Sequence, residues 1–154
     1  MPNFLDMAYK EAEQGMLAGD GGPFGAVVVK DGIIIGKGHN RVISSHDSTA
    51  HAEICAIREA ESALGTHDLS GCEIYTTCYP CPMCLGAIMW ARITKVYYGS
   101  TSEQAAAVGF DDQVFYRAFL NPESNQLVSM IYDDNPNSRL LWQKWLELDD
   151  RKMY

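Results

Sequence analysis

Apolar positions near the start of the chain recur with the period of an α-helix, and this pattern predicts an amphipathic helix over residues 3–17. Glycines and a proline in residues 19–23 are expected to end that helix. The side chains that set the period are Phe4, Leu5, Ala8, Ala12 and Met16.

Two β-rich runs follow, over residues 24–30 and 33–38, and Asp31-Gly32 separates them. An Asp-Gly pair between two such runs is a strong signal for a tight hairpin turn. The sequence therefore predicts that these two strands pair antiparallel.

The middle of the chain alternates between helix and strand patterns. Residues 50–64 are rich in helix formers, and a strand at 73–77, a helix at 81–91 and a strand at 94–98 come next. A strand, a helix and a strand in this order predict a parallel crossover unit.

The last third predicts short helices over residues 105–107 and 112–119, a last strand over 127–131 and a helix over 138–148. Together these elements predict a three-layer α/β/α fold with a mixed central sheet of about five strands. A length of 154 residues with 47% hydrophobic content favours a single domain over residues 1–154.

Composition limits the location and the partners. The N-terminus has no signal-peptide pattern, no apolar run is long enough for a membrane span, and five cysteines, an odd number, argue against a disulfide framework. A cytoplasmic location is therefore expected. Twenty acidic residues against twelve basic ones give a net charge of −8 with no basic cluster, so nucleic acid is not an expected partner.

Four residues carry the chemistry that the sequence predicts: His51, Glu53, Cys81 and Cys84. One imidazole and two thiolates can hold a zinc ion and leave its fourth position open, and zinc lowers the pKa of a bound water to about 7. Glu53, two residues after the histidine, is placed to carry protons beside the metal. The pattern therefore favours a catalytic zinc site.

Spacing supports this interpretation, because Cys81 and Cys84 are one helical turn apart and Pro82 suits the first position of a helix. Ser48 or Thr49 is expected to cap the helix after His51. A lone C-x-x-C pair also occurs in structural zinc sites and in redox motifs, so both alternatives stay open at this point.

The remaining cysteines and histidines have simpler interpretations. The three further cysteines are expected to be small buried hydrophobic residues, and the three further histidines are expected on loops or on the surface. These residues are Cys55, Cys72 and Cys78, and His39, His46 and His67.

Three segments, residues 22–27, 49–53 and 80–88, resemble the cytidine deaminase-like zinc hydrolases, in the branch of tRNA adenosine deaminases and bacterial-type guanine deaminases. Residues 90–92, 107–112 and 152–154 extend the resemblance to guanine deaminases along nearly the whole chain. The tRNA enzymes usually end in a basic helix, whereas residues 133–154 here hold five acidic and four basic side chains.

The resemblance implies hydrolysis of guanine to xanthine and ammonia. A zinc-bound hydroxide held by His51, Cys81 and Cys84 would attack C2 of the base, with one Zn²⁺ in each subunit. Glu53 would shuttle the proton of the water to the ring nitrogen and then to the departing amino group. The resemblance also implies a homodimer in which the C-terminal tail can be exchanged between subunits.

Five residues match family positions that contact the base. Asn40 would hydrogen-bond the base, Phe24 and Trp90 would flank it, and Asp112 would recognise the purine edge or assist proton transfer. Tyr154 would close the site. From the residues alone, the two aromatic rings could be ordinary core, Asn40 a turn residue and Tyr154 a frayed end, and Asp111 competes with Asp112.

Three other functions stay open: adenosine deamination in tRNA, deamination of another small amino-heterocycle such as cytosine or an amino-triazine, and a non-catalytic zinc-stabilised binding module.

Overall fold

The computed structural model describes residues 3–124 and 127–154 of the chain. It contains the predicted alternation of helices and strands. In chain order the elements are α1 Phe4–Leu17, β1 Gly25–Lys30, β2 Ile33–His39, α2 Val42–Ser45, α3 Ala52–Leu64, β3 Glu73–Cys78, α4 Pro82–Trp90, β4 Lys95–Ser100, α5 Ser102–Ala107, α6 Gln113–Leu120, a 3-10 turn Pro122–Ser124 and α7 Pro136–Glu147.

The strands form a mixed sheet in the order β2-β1-β3-β4. The predicted hairpin is confirmed, since β1 and β2 are antiparallel and Lys30 pairs with Ile33 across the turn. Asp31 and Gly32 both adopt positive φ there, which aspartate tolerates and glycine favours. The predicted crossover is confirmed as well, because β3 and β4 run parallel on either side of α4 in the chain.

Helices cover both faces of this sheet. Ala26 and Val28 of β1 share a buried cluster with Ala52 and Ala56 of α3. Gly25, on the opposite face of β1, packs so closely on α1 that an added Cβ would collide with backbone atoms of that helix. Since successive strand residues face opposite sides of a sheet, α1 and α3 lie on different faces. This arrangement confirms the three-layer α/β/α fold.

The prediction of a fifth strand over residues 127–131 is wrong. The sheet in residues 3–124 and 127–154 has four strands, and residues 127–131 are irregular. Val128 and Ile131 are 59% and 89% exposed. β-forming side chains favour a strand only where neighbouring strands provide a surface to pack on, so composition alone misplaced this segment.

The chain separates into two compact units that divide between Arg117 and Ala118. The first unit contains the whole sheet, and the second contains the 3-10 turn and α7. The prediction of a single domain over residues 1–154 stays a prediction. No helix in the part of the chain that the structure describes is long and apolar enough to cross a membrane.

Candidate metal centre

Two helix starts bring the three predicted metal ligands together. His51 is the N-cap residue of α3, Cys81 is the N-cap residue of α4, and Cys84 lies in the first turn of α4. The Nδ1 atom of His51 lies 3.5 Å from the Sγ atom of each cysteine. The ligand atoms of all three residues lie within 4.8 Å of one another.

The prediction that Ser48 or Thr49 caps α3 is wrong. The N-cap residue is His51, and its side chain makes no capping hydrogen bond. The hydroxyl of Thr49 instead donates to Oδ1 of Asp47. The imidazole therefore faces the two thiols rather than the helix that it begins.

The donor set fits zinc in chemistry and in size. Tetrahedral zinc with S and N ligands at their usual bond lengths would separate those ligand atoms by about 3.6 Å. The observed separations of 3.5 Å between Nδ1 and each Sγ agree with that value. Three protein ligands are also the number that leaves zinc one position for chemistry.

The pKa values of the two cysteine thiols are shifted in opposite directions. A hydrogen bond from the Cys84 thiol lowers the pKa of Cys81 to about 4, with further help from His51 and the Cys84 backbone N–H against the opposing effect of burial. The Cys84 pKa is raised, because its thiol donates to Cys81 and is buried. The hydrogen bond to Cys81 likewise raises the pKa of His51. Binding of a cation would release the remaining protons from these ligands.

Glu53 lies in the first turn of α3 with only 6% of its surface exposed. Its Oε1 atom accepts a hydrogen bond of 2.9 Å from the hydroxyl of Thr76 on β3. Burial raises the pKa of the Glu53 carboxyl, against the hydrogen bonds from its own backbone and from Thr76. A carboxyl group with a raised pKa holds a proton more readily than an ordinary glutamate, which suits a group that must accept a proton and return it.

Asp112 differs from its neighbour Asp111 in what its side chain contacts. Oδ1 of Asp111 accepts a hydrogen bond from the backbone N–H of Gln113, at the start of α6. Oδ1 of Asp112 is buried and has no hydrogen-bond partner among residues 3–124 and 127–154. Burial raises the pKa of Asp112, and the Cys81 charge raises it further. Of these two aspartates, Asp112 is the one with a buried carboxylate oxygen that has no hydrogen-bond partner among the described residues.

Asn40 and Phe24 lie opposite each other beside the β1–β2 pair. The backbone N–H of Asn40 donates to the carbonyl oxygen of Phe24 over 3.0 Å. Asn40 is buried, and its Oδ1 accepts a hydrogen bond from the N–H of Val42. The rings of Phe24 and Phe110 are nearly perpendicular, with their centroids 4.9 Å apart.

Trp90 lies at the end of α4 opposite to the end that carries the metal ligands Cys81 and Cys84. Trp90 ends α4 six residues after Cys84, so a rise of 1.5 Å per residue separates their backbones by about 9 Å along the helix axis. The Trp90 ring is 63% exposed, and the Arg92 guanidinium lies 5.9 Å from its centroid. Tyr154 belongs to the second unit, where it is 72% exposed.

The expectation that His39 lies on the surface is wrong. His39 is buried at the end of β2, and its Nε2 atom lies 2.8 Å from Oδ2 of Asp20. His46 and His67 are exposed as expected. Cys72 and Cys78 are buried, whereas Cys55 is half-buried.

Sequence reasoning missed two residues that touch this site, Thr76 and Tyr116. Thr76 is one of two adjacent threonines in β3, and only the direction of the strand shows which of them faces Glu53. The hydroxyl of Tyr116 donates to the carbonyl oxygen of Pro80, next to Cys81. Their residue types carried no signal that would have distinguished them from ordinary strand and helix residues.

Residues 2–100 match the family model described as the cytidine and deoxycytidylate deaminase zinc-binding region. The chain therefore belongs to the cytidine and deoxycytidylate deaminase family of zinc-binding enzymes. The match ends before α5 and α6, so Asp112 and Tyr116 lie outside it.

Two guanine deaminases are among the relatives to which the chain is similar. Guanine deaminase of Bacillus subtilis is 44% identical over 151 residues, which is 98% of this chain and 97% of that protein. The X-ray structure of that enzyme superimposes with a TM-score of 0.95 and covers 100% of this chain and 99% of its own. The structure of guanine deaminase from Nitrosomonas europaea, 36% identical, gives a TM-score of 0.67 over 71% of this chain and 63% of its own.

The tRNA-specific adenosine deaminase of Aquifex aeolicus is also 44% identical, but over 105 residues, or 68% of this chain and 69% of that protein. The predicted resemblance to the zinc deaminases is confirmed by these matches, and it extends over 98% of the chain for the Bacillus guanine deaminase.

Proposed function

We propose that the protein is a zinc-dependent guanine deaminase, which hydrolyses guanine to xanthine and ammonia. The similarity to the Bacillus subtilis guanine deaminase carries this proposal, because it spans 98% of the chain, including the segment with Asp112 and the second unit. The similarity to the tRNA-specific adenosine deaminase of Aquifex aeolicus covers 68%.

His51, Cys81 and Cys84 would hold the zinc ion. When bound, zinc supplies a Lewis acid that makes water a nucleophile at neutral pH. All three ligand residues belong to the first unit, where they lie at the starts of α3 and α4.

Glu53 would move the protons of the reaction. Its carboxylate takes a proton from the water as the oxygen adds to C2 of guanine, and it gives that proton to the adjacent ring nitrogen. It then takes the hydroxyl proton and gives it to the amino group. The C2–N bond breaks, ammonia leaves, and the C2 carbonyl of xanthine forms. Burial of Glu53 keeps bulk water from exchanging those protons.

Asn40, Asp112 and Phe24 would bind the base. Because Oδ1 of Asn40 already accepts from Val42, its NH₂ group is the donor that it would present to a purine oxygen. The unpartnered Oδ1 of Asp112 would accept a hydrogen bond from the N–H edge of guanine. Phe24, fixed by Phe110, would offer its ring to the face of the base. A contact of the Trp90 ring with the base stays a prediction within this proposal.

A homodimer is part of this proposal. The second unit exposes many large apolar side chains, of the kind that oligomer interfaces bury. These include Leu120, Met130, Ile131, Tyr132, Leu141, Trp142, Leu146 and Met153. An exchanged C-terminal tail, and a substrate contact from Tyr154, remain predictions within this proposal. A cytoplasmic location, as we also propose, agrees with five free cysteines.

The direct experiment is a substrate comparison. Zinc-loaded protein is incubated with guanine, adenine, cytosine, cytidine and an amino-triazine, and ammonia release is followed. We expect guanine to react fastest. Ammonia from another base, with none from guanine, would reassign the substrate while leaving the deaminase chemistry in place.

A tRNA adenosine deaminase is the second candidate, favoured by the 44% identity to the Aquifex protein. Retardation of the chain by tRNA with a steep salt dependence, inosine formation and no reaction with guanine would support it. The net charge of −8 opposes binding to a polyanion. A non-catalytic module is tested by Glu53→Gln, which we expect to keep its zinc and fold but lose turnover.

A further inference from the structure

Tyr116 joins the segment that carries Asp112 to the loop that carries Cys81. Its hydroxyl donates a hydrogen bond of 2.5 Å to the carbonyl oxygen of Pro80, the residue immediately before Cys81. Burial raises the pKa of Tyr116, so the hydroxyl is a protonated donor at neutral pH. The ring also meets Tyr79, with centroids 6.1 Å apart.

The backbone of the same residue fixes Asp112. The N–H groups of Phe115 and Tyr116 both donate to the carbonyl oxygen of Asp112, at 3.0 and 3.3 Å. These bonds place Asp112 immediately before the first turn of α6. Movement of Tyr116 relative to Pro80 would therefore move Asp112 relative to the metal ligands.

Two other hydrogen bonds at the start of α6 do not involve the loop that carries Cys81. Asp111 bonds the N–H of Gln113 within the same turn, and the side chain of Gln113 bonds Glu103 of α5 over 3.1 Å. These bonds hold α6 to itself and to α5. The Tyr116 hydroxyl instead holds α6 to the ligand loop.

The orientation of Asp112 depends on a bond of this kind between α6 and the ligand loop. Its Oδ1 atom is buried without a hydrogen-bond partner among the described residues, so no bond to a neighbouring side chain fixes that atom. A buried carboxylate oxygen without a partner is unfavourable, and it keeps its position only if the backbone beneath it is held.

We propose that Tyr116 is a positioning residue, which fixes Asp112 against the ligand loop through its hydrogen bond to Pro80; this inference rests on the proposed guanine deamination. The Tyr116 hydroxyl bonds the backbone carbonyl next to the ligand Cys81, and Tyr116 acts through the orientation of the Asp112 carboxylate.

The test is a double-mutant cycle with Tyr116→Phe and Asp112→Asn, followed by guanine kcat/KM and bound zinc. Loss of one hydrogen bond to a well-placed group predicts a fall in kcat/KM of about 5- to 30-fold for Tyr116→Phe, with zinc content unchanged. In the Asp112→Asn background the same change should lower kcat/KM by less than about twofold, because the group that Tyr116 positions is already lost.

Tyr75→Phe is the matched control. It also removes one tyrosine hydroxyl bond of the first unit, from Tyr75 to Oε2 of Glu73, but away from the metal ligands. We expect unchanged guanine kcat/KM for this variant. Equal losses of kcat/KM from Tyr116→Phe in both Asp112 backgrounds, or no loss at all, would overturn the inference.

Hydrogen exchange supplies a measurement that needs no turnover. Tyr116→Phe should speed exchange at the amides of Phe115 and Tyr116, and Tyr75→Phe should not. If the wild-type chain releases no ammonia from guanine, the proposed function fails, and exchange still decides whether Tyr116 holds this turn. Unchanged exchange at both amides would overturn the positioning role.

Discussion

The hydroxyl of Thr76 donates a 2.9 Å hydrogen bond to Oε1 of Glu53, and this bond links the central sheet to the carboxylate beside the metal ligands. Thr76 is 1% exposed and Glu53 is 6% exposed, so water could not easily take the place of the Thr76 hydroxyl if that hydroxyl were removed. The strand therefore holds the residue that is proposed to carry the protons.

Thr76→Val is expected to lower guanine kcat by about tenfold, because a hydrogen bond to a buried carboxylate contributes about 1–3 kcal/mol. Since the Thr76 hydroxyl lowers the pKa of Glu53, its removal should raise that pKa further. On acidification, the ionised form of Glu53, which accepts the proton, would then be lost at a higher pH than in the wild type. A pH profile of kcat/KM should show its acid limb moved to higher pH.

Thr77→Val is the control for this variant. The Thr77 hydroxyl accepts a buried hydrogen bond from the N–H of Gly25 and does not contact Glu53. Its removal should lower stability without moving the acid limb. An identical pH profile for both threonine variants would contradict the link between Thr76 and Glu53.

Asp112→Asn is expected to lower guanine kcat/KM by about 10- to 100-fold, because a hydrogen bond from the base to a buried carboxylate contributes about 1.5–3 kcal/mol. Asp111→Asn is the matched variant, because Asp111 bonds Gln113 at the helix start. It should lower stability slightly and leave turnover nearly intact. If Asp112→Asn turns over guanine normally, neither catalysis nor recognition depends on this carboxylate.

Close packing of α3 on β2 predicts a large effect for Gly38→Ala. A Cβ at Gly38 would meet the backbone of Ala52 and Ala56, which follow His51 on the same helix. Overpacking of this kind lowers the free energy of unfolding by about 1–3 kcal/mol. Urea unfolding of the zinc-saturated wild type and variant measures this difference in the free energy of unfolding.

Gly86→Ala is the control for packing, since an added Cβ there meets no atom within 4 Å. In the interior of α4 this change should be neutral or raise stability by up to about 1 kcal/mol. Equal free energies of unfolding for the two alanine variants would show that α3 does not depend on the small size of Gly38.

The sequence predicted the parts of this fold that local chemistry determines. Asp31-Gly32 determined the hairpin turn, and the ligand spacing of Cys81 and Cys84 placed them at a helix start. The false strand at residues 127–131 and the unpredicted α2, Val42–Ser45, show the limit. Whether a short segment pairs depends on neighbours that the local pattern does not specify.

The same limit applies within the candidate site. His51, Glu53, Cys81 and Cys84 were identifiable because zinc chemistry needs those residue types at that spacing. Thr76 and Tyr116 act through single hydrogen bonds between residues that are 23 and 36 positions apart in the chain. Only the folded structure reveals such pairs.

The pair of half-buried Asp20 and buried His39 predicts a dependence of stability on pH. The hydrogen bond to His39 lowers the pKa of Asp20 below its usual value of 3.8. A carboxylate with a lowered folded pKa contributes stability that is fully present above its unfolded pKa and is lost as the pH falls through the folded one. Asp20→Asn should therefore reduce the loss of stability on acidification below about pH 4.

His39→Gln removes the other partner and should reduce the same acid dependence. Release of zinc at low pH affects all the proteins alike, so the informative quantity is the difference between each variant and the wild type. Denaturant unfolding at several pH values measures it. Parallel curves for the wild type, Asp20→Asn and His39→Gln would contradict the role of this pair.

The most direct test of the central claim is a zinc titration of chelator-treated protein, with guanine and xanthine followed by their ultraviolet spectra. We predict that xanthine formation rises in proportion to bound zinc and stops rising at about one ion per chain, the number that one set of three ligands can hold. Ammonia should appear in equal amount to xanthine. Guanine that stays unchanged when the chain holds its full zinc would contradict the proposed function.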